Sequence, residues 1–218
     1  MLKFLVIRHG ETQSNAERRF SGHQDVELTE KGIWQAEQLS YRLKDEQIDI
    51  AYSSDLKRAI HTAKIILRDR DISLSTEPRF REISFGDWEG YRLEEYTSEN
   101  GEGNRSGWWN QPESPLSGGE SVLDLRKRVK IALEKVIAEH DEEDKCKTIV
   151  IVCHGGVTRM IIGLALDIPI KKIWHIRQQS TALNVIRYDK NNGFFVSSVN
   201  DIAHITLLEK KEEPIEKF

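Results

Sequence analysis

The sequence predicts an α/β fold: a mainly parallel central sheet with helices on both faces and an antiparallel pair at one edge. Three observations lead there. Continuous apolar runs at 3–8, 48–53 and 148–153 alternate with amphipathic helical stripes, the pattern of strands joined by helical crossovers. Two of those runs end in a histidine followed by glycine and then helix. Near the end, Leu183–Tyr188 and Phe194–Val199 flank Asp189 through Gly193, and Asn192-Gly193 is a hairpin signal.

The first strand carries Phe4-Leu5-Val6-Ile7, four apolar residues in succession, as expected of a strand buried on both faces. After Thr29, a good N-cap type with Glu30 in the first turn, Ile33, Ala36, Leu39 and Leu43 recur at helical spacing. The second strand leads through Ser53-Ser54-Asp55 into Leu56, Ala59, Ile60, Ala63 and Ile66-Leu67, a second helical stripe. Val122, Leu125, Val129, Leu133 and Val136 make a third. The run Thr148–Cys153 passes through His154-Gly155-Gly156 into Val157–Ile162, again strand, turn and helix.

One stretch breaks the alternation. Residues 97–119 hold five glycines, two prolines and the pair Trp108-Trp109. So long an irregular insertion is expected to serve as a lid or binding loop, or to be disordered, with the two tryptophans pinning it to the body or lining a pocket. Residues 1–208 read as one domain containing that insertion. Residues 209–218 read as a charged, frayed tail.

At 218 residues, with 38% hydrophobic and 31% charged residues, the chain can bury a sizeable core under a polar surface. A net charge of −4 with no basic block argues against nucleic acid as a main partner. No apolar run is long enough to span a membrane, and the first strand starts at once, leaving no room for a signal peptide. Cys146 and Cys153 flank one strand and are poorly placed to pair. They read as reduced thiols of a cytoplasmic protein.

The chemistry centres on Arg8-His9-Gly10-Glu11 at the exit of the first strand. Ligands of open α/β sheets bind beyond the carboxyl ends of the strands. An imidazole there can attack an electrophile while a neighbouring guanidinium grips an oxyanion through two parallel bonds. Gly10 lets the chain bend so that the second ring nitrogen can donate to a carbonyl and fix the tautomer. A second imidazole, His154, leaves another strand, and Arg58 sits at a third strand-to-helix junction. The amide of Gly155 lies where a helix begins, a position that favours anions. Glu82, in Phe80-Arg81-Glu82-Ile83-Ser84-Phe85-Gly86-Asp87-Trp88-Glu89-Gly90, is a carboxylate that could equally pair with Arg79 or Arg81.

Taken together and in this order, these motifs resemble the histidine phosphatase superfamily, the phosphoglycerate-mutase-like group, from residue 3 to about residue 206, Asn200-Asp201-Ile202-Ala203-His204 included. The resemblance implies the three-layer sandwich of that group and hydrolysis of phosphomonoesters through a phosphohistidine on His9. It implies phosphate-pocket roles for Arg8, Arg58 and His154, a further phosphate ligand at Asn15, and variable pocket contacts at Ser21 and Gly22. Glu82 matches the proton donor, whose proton must be held more tightly than that of a free carboxyl group. Neither a metal nor an organic cofactor is implied, and the partner expected is a small phosphorylated metabolite. The mutase branch has a longer segment after the acid; here Phe85–Gly90 takes the short form of the bacterial phosphatases. Phosphoglycerate mutase, alpha-ribazole phosphatase, phosphoserine phosphatase and a non-catalytic phospho-ligand-binding module are the alternatives.

Two other chemistries compete. Cys153 through Arg159 fits Cys-x5-Arg, but Cys153 and His154 point to opposite faces, so one pocket cannot easily use both. Cys153 then reads as core, and Arg159 as a surface group or structural partner. A metal site on His9 and His154 lacks the short-spaced Asp and His ligands that metal phosphatases gather. His23 is the remaining histidine that could reach the pocket mouth.

Overall fold

The computed structural model describes residues 1–95, 108–142 and 145–206. Six strands form one sheet in the order β3-β2-β4-β1-β5-β6. Strands β1 (Leu2–Arg8), β2 (Ile50–Ser53), β3 (Leu74–Thr76) and β4 (Lys147–Cys153) run parallel. Strand β5 (Leu183–Asp189) is antiparallel to β1, and β6 (Gly193–Asp201) is antiparallel to β5. The expected antiparallel edge is therefore present. Strand β3 was not anticipated, because Leu-Ser-Thr is too short and polar to make an apolar run.

Side chains alternate across the sheet and build a core on each face. Phe4 and Val6 of β1 and Ile149 and Ile151 of β4 pack with Val129 and Leu125 of helix α4 (Val122–His140) and Met160 of helix α5 (Gly155–Ala165). Leu5, Ile7, Val150 and Val152 meet Leu39 of helix α2 (Glu30–Arg42) and Ala59, Ala63 and Ile66 of helix α3 (Lys57–Leu67) on the other face. Each fully buried Val, Leu, Ile, Phe or Met side chain among these contributes about 1.5–3 kcal/mol. Between β1 and α2 lies the single turn α1 (Gln13–Ala16), and helix α6 (Ala203–Thr206) follows β6.

The helix starts follow local chemistry. Thr29 accepts from the amide of Gly32 at 3.0 Å, as its residue type predicted. Ser121 and Asp124 close a reciprocal capping box on α4.

Of the irregular stretch at 97–119, residues 97–107 lie outside the described residues, as does the tail at 209–218. The rest of the stretch is pinned. Trp108–Asn110 forms a 3-10 turn beside a second one at Ile170–His175. Further on, Asp87 N–H donates to Ser117 O and Glu120 N–H to Ser84 O, both at 2.9 Å. Gly86 makes this crossing possible. Its φ is +56°, and a β-carbon there would overlap Ser117 O and the backbone of Gly118. Among the described residues no helix is long and apolar enough to cross a membrane.

Candidate active site

Strands β1 and β4 are neighbours in register, Arg8 opposite Cys153, and His9 N–H donates to Cys153 O at 2.9 Å. The next residue of each strand is therefore delivered to one spot. The rings of His9 and His154 stand 5.1 Å apart between centroids, inclined at 60°, and both are buried.

The tautomers follow from the partners. His9 Nδ1 lies 2.7 Å from Gly10 O, which can only accept, so Nδ1 carries the hydrogen and Nε2 the lone pair. Burial first, then the charges of Arg58 and Arg8, holds this imidazole well below the usual histidine range. It is a neutral base at physiological pH. His154 Nδ1 accepts from Arg58 Nε at 3.2 Å, which leaves Nε2 as the donor. That N–H is buried and has no acceptor among the described residues. Burial, Arg58 and His9 keep His154 neutral as well. Since an orphaned buried donor is costly, this one marks where an acceptor from outside the chain belongs.

Arg58, in the first turn of α3, is buried and tied down. Beyond its bond to His154 it donates to Gln24 O at 2.6 Å and Gly22 O at 2.7 Å. Burial brings its pKa down to about 10. Three of its five N–H groups are thus engaged within the chain, leaving two for a ligand. Arg8 donates from Nη1 to Gln178 O at 2.6 Å.

Glu82 does not form the ion pair with Arg79 or Arg81 that composition alone would favour. Arg79 pairs with Glu77, and Arg81 grips Asp55 through two bonds of 2.7 and 2.6 Å. The Glu82 carboxylate instead accepts from its neighbour Ile83 N–H at 2.9 Å and from Gly156 N–H at 3.0 Å, in the first turn of α5. A β-carbon at 156 would lie 2.3 Å from Glu82 Oε1, so any other residue there would push the carboxylate out of place. Gly155 lies beside it: a β-carbon there would come 2.9 Å from Arg159 Nη1, 3.6 Å from Arg8 Nε and 3.8 Å from Glu82 Oε2.

Asn15 is held by its own turn. Its Oδ1 accepts from the amide and hydroxyl of Thr12, both at 3.1 Å, which leaves its NH2 group for an oxyanion. Gly22 contributes its carbonyl to Arg58, and Ser21 shapes the same loop by accepting from Gln24 N–H at 2.8 Å. His23 Nε2 lies 2.8 Å from Glu82 O.

Several contributors were not read from the sequence. Arg128 of α4 donates to the carbonyls of Arg79, Arg81 and Glu82 at 2.6–2.7 Å and so fixes the backbone that carries the carboxylate. Thr62 accepts from Gly10 N–H at 3.0 Å and donates to Arg58 O at 2.7 Å. Arg159 is a structural partner, not a surface group: it donates to Ile176 O at 2.7 Å and lies over the Trp174 ring. Cys153 is buried with its sulfur 3.3 Å from Thr158 Oγ1, and burial pushes its thiol up to about 12, a poor nucleophile. Among the described residues no three His, Cys, Asp or Glu side chains gather as metal ligands would.

A doubly wound sheet that delivers two neutral histidines and two arginines to one buried spot defines an enzyme of phosphoryl transfer through histidine. The chain belongs to the histidine phosphatase superfamily (branch 1), whose family model matches residues 4–202. It is 32% identical over 185 residues to an adenosylcobalamin/alpha-ribazole phosphatase of Salmonella typhimurium, covering 85% of this chain and 90% of that one. Phosphoserine phosphatase 1 of Hydrogenobacter thermophilus is 31% identical over 94% of this chain and 95% of its own. The solved structure of Bacillus stearothermophilus YhfR superposes with a TM-score of 0.84 at 31% identity, covering 94% of this chain and all of that one. The protein is a phosphatase of this superfamily, and the phosphohistidine route is general to the family.

Proposed function

We propose that the enzyme hydrolyses small phosphorylated metabolites with His9 as the nucleophile. The observation that carries this reading is the pairing of a neutral, buried His9, whose Nε2 holds a lone pair, with the orphaned N–H of His154. His9 Nε2 attacks phosphorus as the bond to the leaving oxygen breaks. Arg8, the two remaining N–H groups of Arg58, His154 Nε2, the Asn15 amide and the Gly155 N–H hold the phosphoryl oxygens. Glu82 gives its proton to the leaving oxygen. In the second half, water attacks phosphorus, the N–P bond breaks, and Glu82 receives the water's proton.

Residues 1–208 act as one cytoplasmic domain in this reading, with 97–119 choosing among leaving groups. The short Phe85–Gly90 segment, pinned through Asp87 to Ser117, supports hydrolysis over mutase activity, since it brings no cations for a glycerate carboxylate. The test quenches turnover of labelled ester without acid and compares phosphate release with interconversion of 2- and 3-phosphoglycerate. An acid-labile, alkali-stable adduct absent from His9→Ala, with release faster than interconversion, is expected. Label persisting in His9→Ala would remove the nucleophile assignment, and faster interconversion would make the protein a mutase.

A further inference from the structure

The motif Asn200-Asp201-Ile202-Ala203-His204 touches none of the groups assigned above, yet the side chains of Asn200 and His204 both bond to one segment, residues 176–182. That segment is the backing of the site. Its Gln178 O accepts from Arg8 Nη1 at 2.6 Å, its Thr181 N–H donates to His9 O at 3.2 Å, and its Ile176 O accepts from Arg159 Nε at 2.7 Å. Main-chain groups of one short stretch thus hold the Arg8 guanidinium and the main chain that carries the His9 ring.

Such a stretch needs its own restraint, for Thr181 has φ +54°, a conformation that a β-branched residue adopts only when its surroundings impose it. The restraint comes from the motif. His204 Nε2 lies 2.9 Å from Thr181 Oγ1, and both residues are buried. Asn200, itself at φ +52°, accepts from Gln179 N–H at 2.8 Å and donates to Gln179 Oε1 at 3.2 Å. A buried amide pair completes the lock: Asn184 and Gln178 exchange bonds of 2.9 and 3.0 Å, Asn184 donates to Val6 O at 3.0 Å, and Asn200 N–H donates to Asn184 Oδ1 at 2.8 Å. The motif is anchored in turn. Asp201 caps Ala203 N–H at 3.0 Å and is gripped by Arg42 at the end of α2.

We propose that Asn200 and His204 are positioning residues for the phosphoryl site, locking the 176–182 segment so that Arg8 and His9 are aimed before substrate arrives. The proposal rests on the assignment of His9 as nucleophile. It concerns rate, because misaiming an attacking nitrogen and its clamp weakens the transition state more than ground-state binding.

The experiment measures single-turnover phosphorylation of His9 by labelled p-nitrophenyl phosphate in Asn200→Gly, His204→Ala and Thr181→Val. Rates are taken per folded molecule, well below each variant's melting temperature. Adduct formation should fall about 10- to 100-fold in each, with KM changed by less than about threefold. Orthovanadate, which mimics the transition state, should bind correspondingly more weakly. Thr181→Ser, which keeps the hydroxyl, should recover most of the rate. His204→Ala combined with Thr181→Val should lose no more than either alone, since both remove the same contact. Lower melting temperatures with wild-type rates per folded molecule, or additive losses in the double variant, would overturn the proposal. Asn200→Gly keeps the left-handed turn and so decides the matter if His204→Ala does not fold. Absence of any adduct in the wild-type enzyme would instead sink the His9 assignment, which keeps the two failures apart.

Discussion

The division of labour among single residues is sharpest at Glu82. Its carboxylate is held by two backbone amides and touches neither Arg79 nor Arg81, so its removal leaves the neighbouring charges paired. Glu82→Gln should slow His9 phosphorylation by alkyl phosphates about 10²–10⁴-fold and by p-nitrophenyl phosphate less than about tenfold, since nitrophenolate departs without a proton. Measuring the adduct itself keeps the later hydrolysis out of the comparison. Equal losses for both esters would make Glu82 an orienting group. The residues proposed to carry the chemistry could be picked out because each stands at a strand exit or within a distinctive motif. Those that position them were not. Arg128, Thr62, Gln178 and Thr181 act through main-chain carbonyls and amides of residues distant in sequence, and a backbone acceptor leaves no mark on residue identity.

At the scale of elements, the crossing of 117–119 over 85–87 is the most brittle joint. Gly86→Ala combines a positive φ with a clash against Ser117 and Gly118, and should destabilise by more than about 1 kcal/mol, read as a drop in melting temperature. It should also alter the ranking of leaving groups if residues 97–119 select them. A variant with unchanged stability and unchanged ranking would show that the crossing is slack. Long helices and buried strands were readable from period and apolar continuity, as was the Asn192-Gly193 hairpin that joins β5 to β6. Strand β3 escaped because three residues cannot display a period. The order of strands was not legible either, since the contacts that place β4 between β1 and β2 are backbone bonds common to any sequence.

For the molecule as a whole, the buried imidazoles make folding sensitive to acid. Burial chiefly, with Arg58 beside His9 and His154 and Arg42 beside His204, depresses all three, His204 to about 4. In the unfolded chain each titrates near 6.5. Their contribution to stability is therefore complete above about pH 6.5 and is lost as pH falls toward the folded values. The limiting slope is about 1.4 kcal/mol per pH unit for each histidine. Denaturant midpoints should decline steadily between pH 6.5 and about 4, and saturating phosphate should lessen the decline, because a bound dianion favours the charged imidazoles it touches. A profile flat to pH 5 without ligand would mean that these histidines are already charged in the fold.

The pairing of β1 with β4 also has a temporal meaning. More than half the chain separates His9 from His154, and the latch behind His9 lies later still, at Asn200–His204. During synthesis His9, the proposed nucleophile, emerges long before the strand that brings its companion donor. Pairings between distant segments form late, because loop closure must be met before their contacts form. A nascent or partly folded chain thus carries a histidine with no oriented cations and no acid beside it, inert toward the phosphate esters around it. Reactivity is switched on by completion of the sheet's centre, so catalytic competence and correct topology arrive as one event.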